Sequence, residues 1–290
     1  MDGILRIDKP KNMTSHDLVM ITRKALKTKR IGHIGTLDPN ATGLMVLCVG
    51  KATKLVKYYT GMNKTYRARF LIGKAYDSDD ITGNEIASID ASKLSIEEIK
   101  ASLGEFLGKQ KQLPPNYSAI KHQGRKLYEL ARKDIKITNI LPREIEVYSI
   151  DDFEVVSQSE QFIFDVTLTV SKGAYIRAIA RDLGMKLNNC GALVELRRLK
   201  IDGFDIRDCY TLEDIKNGDV VLSDPFEYLN MQKIFINDNF RSYIDNGRFL
   251  DLDLFPDLVD TIVYSAQGQP LAIYYYDAEK NLMRMSVKWC

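Results

Sequence analysis

The order in which two kinds of apolar repeat alternate along this chain limits what it can fold into. Phe162, Phe164, Val166, Leu168 and Val170 recur at every second position between polar residues. Tyr66, Ala68, Phe70 and Ile72 do the same against Arg67, Arg69 and Leu71, which is the period of half-buried strands. Residues 44–49 are apolar throughout and read as a buried strand, and 4–7 as a short strand stopped by Lys9-Pro10. Helical signals interrupt these strands. Thr14-Ser15 offers an N-cap for a helix with Leu18, Ile21, Ala25 and Leu26 on one face, and Ser95 to Glu98 has capping-box spacing for a helix to about Leu107. Lys172-Gly173 turns into a helix over 175–187 with Arg177 on its first turn, while Pro114-Pro115 forces an extended connection into 117–121. No regular βαβ period appears, so the order predicts an α+β sheet domain rather than a doubly wound one.

The 290 residues are enough for one large or two unequal domains, and 45% hydrophobic with 28% charged residues argues against disorder. Asn217-Gly218-Asp219, Asp224-Pro225 and Asn237-Asp238-Asn239 make 217–240 turn-rich. They predict a join between a main domain, 1–230, and a small strand-rich module, 237–290, with strands at 261–264, 271–276 and 283–287. Cys48, Cys190, Cys209 and Cys290 form no zinc-type pair, and His16, His33 and His122 have no ligand spacing, so no metal is expected. The cysteine usage suits a reducing cytoplasm. No signal-length apolar run opens the chain and none approaches a membrane span, so no membrane partner is expected.

Charge is segregated. Residues 109–143 carry nine Lys/Arg against Glu129 and Asp134, whereas 210–260 carry eleven Asp/Glu against four Lys/Arg. Between positions 20 and 70 stand eleven basic residues and a single acid, Asp38. Basic segments around one isolated acid favour a polyanionic partner, and opposite charges favour the ionised form of a carboxylate. Gly35 and Gly43 let the backbone bend and Pro39 fixes φ after Asp38, so 33–43 is a shaped loop. Two readings of Asp38 stand here: a nucleophile facing a polyanion, or a side chain that starts a turn.

Two tempting motifs fail. Gly50-Lys51 lacks the companions of a phosphate loop, since Met45 and Ala52 occupy the required positions. Asp77-Ser78-Asp79-Asp80 continues with Ile81, Thr82 and Ser88 where a calcium loop needs an acid or amide, Gly and Glu. What remains is a set of separated motifs in one order. They are Asp8-Lys9-Pro10 with Thr14-Ser15, the His33 to Gly43 loop, Lys64-Thr65-Tyr66, Gly73 through Gly83, and Ser171 to Arg177. To these add Pro115 to Lys121 with Gly124, Leu127-Tyr128 and Ala131-Arg132. Together they resemble the TruB family of pseudouridine synthases over most of the chain. Asn12, Ile34 and Tyr76 depart from the family's usual Gly, Thr and Thr.

The resemblance implies a mixed, largely antiparallel α+β catalytic domain with a small C-terminal PUA-like β-barrel for RNA. It implies that Asp38 is the nucleophile that opens isomerisation of uridine to pseudouridine, attacking base or ribose, on a T-loop uridine (position 55) flipped out of the tRNA T arm. His33 would hold the disrupted loop, Tyr66 and Tyr175 would flank the base, Leu196 would line the pocket and Arg177 would pair with Asp38. Asp80 would contact tRNA, and Lys64 and Arg67 are expected as backbone contacts. The reading adopted is a stand-alone cytoplasmic monomer without cofactor, metal or guide RNA. A non-catalytic RNA-binding or tRNA-folding protein is the alternative, and a guide-dependent synthase a second.

Overall fold

The apolar run of residues 44–49 is buried on both sides, and the molecule is layered around it. The computed structural model describes residues 1–115, 117–118, 120–122, 125–127 and 140–289. Asn116, Ala119, Gly124, Tyr128, Ala131 and Arg132, which entered the resemblance, and Cys290 lie outside the described residues.

The chain runs β1 (Gly3–Lys9), α1 (Ser15–Ala25), β2 (Ile31–His33), β3 (Thr42–Val49), α2 (Val56–Tyr59) and β4 (Lys64–Ile72). A hairpin of β5 (Lys74–Tyr76) and β6 (Glu85–Ser88) leads to α3 (Ile96–Gly104), β7 (Gly108–Gln112) and a short hairpin, β8 (Lys121–His122) with β9 (Arg125–Lys126). Then come β10 (Arg143–Gln158), β11 (Phe162–Val170), α4 (Ile176–Lys186), β12 (Gly191–Ile201), β13 (Phe204–Asp205) and α5 (Leu212–Asn217). The last elements are β14 (Gln232–Ile236), α6 (Arg241–Asp245), β15 (Thr261–Ser265), β16 (Pro270–Asp277) and β17 (Leu282–Lys288).

The main sheet has the order β1-β3-β12-β4-β11-β10-β7, with β2 on β3 and β13 on β12. It is antiparallel except where β12 meets β3, at Arg197 opposite Thr42 and Arg198 opposite Gly43. This is the mixed α+β architecture expected. Met45, Leu47 and Val49 of β3 join β4, β11 and the helices in one core. Leu44, Val46 and Cys48 point the other way and pack with Ile262, Ile273 and Val287 of the terminal sheet in a second. The period of two sends alternate side chains to opposite faces, so a strand between two cores must be apolar at every position.

The terminal module is a four-stranded sheet, β14-β15-β16-β17, whose edge strands β14 and β17 do not pair, so it is an open sheet where a barrel was expected. Its first strand, Gln232–Ile236, lies inside the stretch read as a turn-rich join. Alternation of Ile234 and Ile236 with exposed residues outweighs the turn residues around it. The module is not a separate bead, because its apolar face completes the core under β1 and β3.

The helix signals are used with small shifts. Thr14 is the N-cap of α1, in a capping box with Asp17; of the expected face Leu18 is buried and Ala25 and Leu26 pack against the core, while Ser15, Val19 and Thr22 are buried as well and Ile21 is only half-buried. Ser95 and Glu98 form the expected box of α3, which ends at Gly104, short of Leu107. Tyr175 is the N-cap of α4 and Arg177 stands on its first turn.

Candidate active site

Asp38 stands in the loop between β2 and β3, and this loop takes its shape from bonds made to its backbone. The Ser15 hydroxyl donates to the Leu37 carbonyl at 3.1 Å and accepts from the Leu37 N–H at 2.9 Å. The Asp38 carbonyl accepts from Ala41 N–H at 3.1 Å, closing a turn around Pro39. Lys9, buried at the end of β1, donates Nζ to the carbonyls of Pro10, Met13 and Pro39 at 3.0, 2.7 and 3.2 Å. Arg198, buried on β12, donates Nε to Leu44 and Nη2 to Gly35, both at their carbonyls, at 2.7 and 3.1 Å. Two buried cations therefore grip the loop through carbonyl oxygens. Burial pulls the Lys9 ammonium down to about 8, with the Asp38 charge acting the other way.

These groups meet because of one row across the sheet. Lys9 lies opposite Gly43, Gly43 opposite Arg198, Arg198 opposite Tyr66, and Tyr66 opposite Leu168. Gly43 is the tight point: its φ is +104°, and a Cβ there would lie 2.3 Å from the Arg198 carbonyl oxygen and 2.7 Å from its nitrogen. The glycine serves close approach of two strands, beyond the free bending its place in a loop suggests.

Facing the loop is the start of α4. Gln112, the last residue of β7, pins Tyr175 by both backbone groups, accepting from its N–H at 2.8 Å and donating to its carbonyl at 3.1 Å. This aims the next turn, where Arg177 places Nε 3.1 Å from Asp38 Oδ2. The guanidinium is only 6% exposed while the Asp38 side chain is 47% exposed, so the carboxylate is oriented from behind and open in front. Arg177 also donates to the carbonyls of Ser78 and Tyr117, each at 2.9 Å, and lies 3.6 Å from Asp80 Oδ2. Asp80 accepts from Ser78 Oγ at 3.0 Å and Thr82 N–H at 2.9 Å, which ties it into the 77–83 turn.

Of the residues singled out in the sequence, Asp38, Arg177 and Asp80 are thus in one cluster. Tyr175 joins it; burial pushes its phenol up, while Ser118, Arg143 and Arg177 pull down and Asp38 pushes up. Tyr66 is buried and Leu196, opposite Ala68, is half-buried, both on the sheet face that packs with the loop's Leu37. His33 ends β2, and its Nδ1 accepts from Gly35 N–H at 3.4 Å. Burial, helped by the charges of Arg198 and His16, lowers its pKa and favours the neutral ring.

Lys64 and Arg67 are not part of this cluster. Lys64 is 8% exposed, and its ammonium donates to the carbonyls of Thr60, at 3.2 Å, and Met62. Arg67 is on the opposite face of β4 and pairs with Glu154 at 2.8 Å and Asp165 at 3.6 Å. Part of the basic stretch has a partner inside the chain: Lys51 and Lys54 donate to the carbonyls of Trp289 and Lys288 at 3.0 and 2.6 Å, and Lys57 to the Ser286 hydroxyl. Arg198, Ser15 and Lys9 are the residues that sequence reasoning missed as site residues. Lys9 and Ser15 did stand in motifs that carry the resemblance, whereas Arg198, next to Arg197, gave no signal of its own.

Among the described residues no three His, Cys, Asp or Glu side chains are grouped to hold a metal ion, and no helix is long and apolar enough to cross a membrane.

The crystal structure of a Cbf5-Nop10-Gar1 complex shares this fold, with a TM-score of 0.70 at 21% identity over 99% of this chain and 84% of that one. Residues 23–176 match the family model described as TruB family pseudouridylate synthase (N terminal domain), and the chain belongs to that family of enzymes. It is 38% identical to the tRNA pseudouridine synthase B of Acholeplasma laidlawii, over 98% of this chain and 99% of that protein. It is 36% identical to the tRNA pseudouridine synthase B of Bacillus subtilis, over 98% and 96%.

Proposed function

We propose that this chain isomerises uridine to pseudouridine in the T loop of tRNA, at position 55, with Asp38 as the nucleophile and without cofactor, metal or guide RNA. The observation that carries the reading is the Asp38–Arg177 pair, an open carboxylate aimed by a buried guanidinium. The names of the full-length relatives supply the substrate class. In the reaction the bond from ribose C1′ to N1 breaks, a bond from C1′ to C5 forms, and the C5 proton is lost as N1 gains one. A carboxylate serves whether it attacks the base or C1′.

Taking the base out of its stack costs a few kcal/mol, which a pocket must offset. Tyr175 and Tyr66 supply aromatic walls, Leu196 an apolar floor, and neutral His33 a polar edge where the loop of the substrate is opened. Asp80 orients Arg177. The terminal sheet serves as a PUA-like RNA contact, and the enzyme works as a cytoplasmic monomer.

The test is Asp38→Asn, which keeps size and turn-forming capacity but removes the charge. Pseudouridine formed in one turnover on an unmodified tRNA transcript should fall below detection while tRNA binding and the melting temperature persist. Asp38→Glu should lose about a hundredfold, since one methylene shifts the oxygen by roughly 1 Å. A wild-type rate for Asp38→Asn would return this residue to a turn former.

A further inference from the structure

Arg177 does not stand alone on its helix. One turn later, on the same face, Arg181 repeats its pattern of contacts. Arg177 sends Nη1 to the Ser78 carbonyl and Nη2 to the Tyr117 carbonyl. Arg181 sends Nη1 to Asp79 Oδ2 and Nη2 to the Leu113 carbonyl, both at 2.8 Å, and Nε to Asp182 Oδ1 at 2.8 Å. Each arginine thus joins the 77–83 turn on one side to a backbone carbonyl on the other, Tyr117 for Arg177 and Leu113 for Arg181.

The turn needs such a hold. Asp79 has φ +62°, a left-handed conformation uncommon outside glycine, though Asp adopts it more readily than most residues. Its carbonyl accepts from Leu193 N–H at 3.1 Å and Ile81 N–H returns to the Leu193 carbonyl at 3.0 Å, so the turn straddles one residue of β12. The Asp79 carboxylate is mostly buried; burial pushes it up, and the charges of Arg181 and then Arg177 pull it back. Without Arg181 this carboxylate would be a buried charge short of its nearest partner.

We propose that Arg181 is a positioning residue for Asp38, acting through Arg177: by fixing the separation of the 77–83 turn from the Leu113 and Tyr117 carbonyls, it sets where the Arg177 guanidinium can sit. Arg177 has both terminal nitrogens committed, one to the turn and one to the Tyr117 carbonyl. If they drift apart, it must release one of them or turn its Nε away from Asp38. A lysine at 181 can satisfy Asp79 or Leu113 but lacks the fork that reaches both. The role rests on the reading of Asp38 as nucleophile, whereas the geometry of the staple does not.

The experiment compares Arg181→Lys and Arg181→Met with wild type in three measurements: single-turnover pseudouridine formation at saturating enzyme, tRNA binding, and hydrogen exchange of the Arg177 Nε–H by NMR. Arg181→Lys should slow the single turnover about tenfold or more, as a displaced reacting group does. Binding should stay within about twofold, and exchange of the Arg177 Nε–H should speed up. In an Arg177→Lys background the same change should cost much less than tenfold, because residues acting through one another are not additive. An unchanged rate and unchanged exchange in Arg181→Lys overturn the proposal. So does an equal loss in both backgrounds accompanied by a lower melting temperature, which marks a residue that only holds the fold. If Arg181→Met does not fold, the lysine variant still decides. If wild-type protein forms no pseudouridine, the functional reading fails and the exchange measurement alone tests the staple.

Discussion

The two faces of β3 are built on different principles. On the helix side, the chain around Asp38 is held by donors aimed at single atoms: Ser15 on Leu37, Lys9 on Pro39, Arg198 on Gly35 and Leu44. On the other side, Leu44, Val46 and Cys48 meet Ile262, Ile273 and Val287 with apolar contact. Apolar burial is non-directional and scales with area, so it fastens one sheet to another without aiming any single atom. Hydrogen bonds to buried carbonyls weaken steeply as angles open, so they fix position. The contrast separates what keeps the molecule together from what keeps the carboxylate in place.

The largest effect should come at the tight point between β3 and β12. Gly43→Ala drives a Cβ into the Arg198 backbone at a φ of +104°. It should cost about 3 kcal/mol or more, with turnover lost even below the melting transition. A melt close to wild type, recorded beside a single-turnover assay, would contradict the close approach of β3 and β12.

Next is Ile273→Ala on the terminal sheet. Removing a fully buried side chain from the second core should cost about 2–5 kcal/mol in denaturant unfolding. The folded fraction should turn over at the wild-type rate at saturating enzyme. A rate that fell in step with stability would erase the division between the two faces.

The smallest effect is a pH dependence. Lys9 reaches three carbonyls, which only the protonated amine can satisfy together, and its pKa is lowered to about 8. The single-turnover rate should fall a few-fold as pH rises through that value, and Lys9→Met should lack this limb. Stability should move the other way. The unfolded chain keeps the proton to its ordinary 10.5, so between about 8 and 10.5 the folded state binds fewer protons and this group's contribution to stability rises with pH. Lys64, lowered to about 8 by burial, adds to the same rise, so Lys9→Met should remove only part of it. A rate and a stability that fell together would mean that the loop unfolds instead of loosening.

How far the sequence reveals this arrangement depends on where its patterns are regular. Strands β4 and β11 alternate cleanly and were legible, as were the Ser95–Glu98 box and the turn that sets Arg177 on α4. Strand β12, which carries Leu196 and Arg198, was not. Irregularities between Leu193 and Glu195 and between Arg198 and Lys200 break its period of two. Strand β10 has three such shifts and mostly exposed side chains. Charge was legible as composition but not as direction: Lys51 and Lys54 look like any basic surface until they are seen reaching the last strand. Lys9 and Arg198 escape for the opposite reason, since lysine and arginine are rarely buried and a sequence reader assigns them to solvent.

The strand order has a consequence for the time course of synthesis. Strands β1 and β3 precede β4 closely in the chain, yet neither pairs with it, because β12 stands between β3 and β4 in the sheet. The Leu44, Val46 and Cys48 side of β3 then waits for Ile262, Ile273 and Val287, more than two hundred residues further along. Synthesis must therefore run more than two hundred residues past β3 before this strand can be covered on both sides. Pairings of such long sequence separation form slowly and leave apolar surface open meanwhile. The nascent chain is accordingly most in need of protection around β1 and β3, between which lies the Asp38 loop.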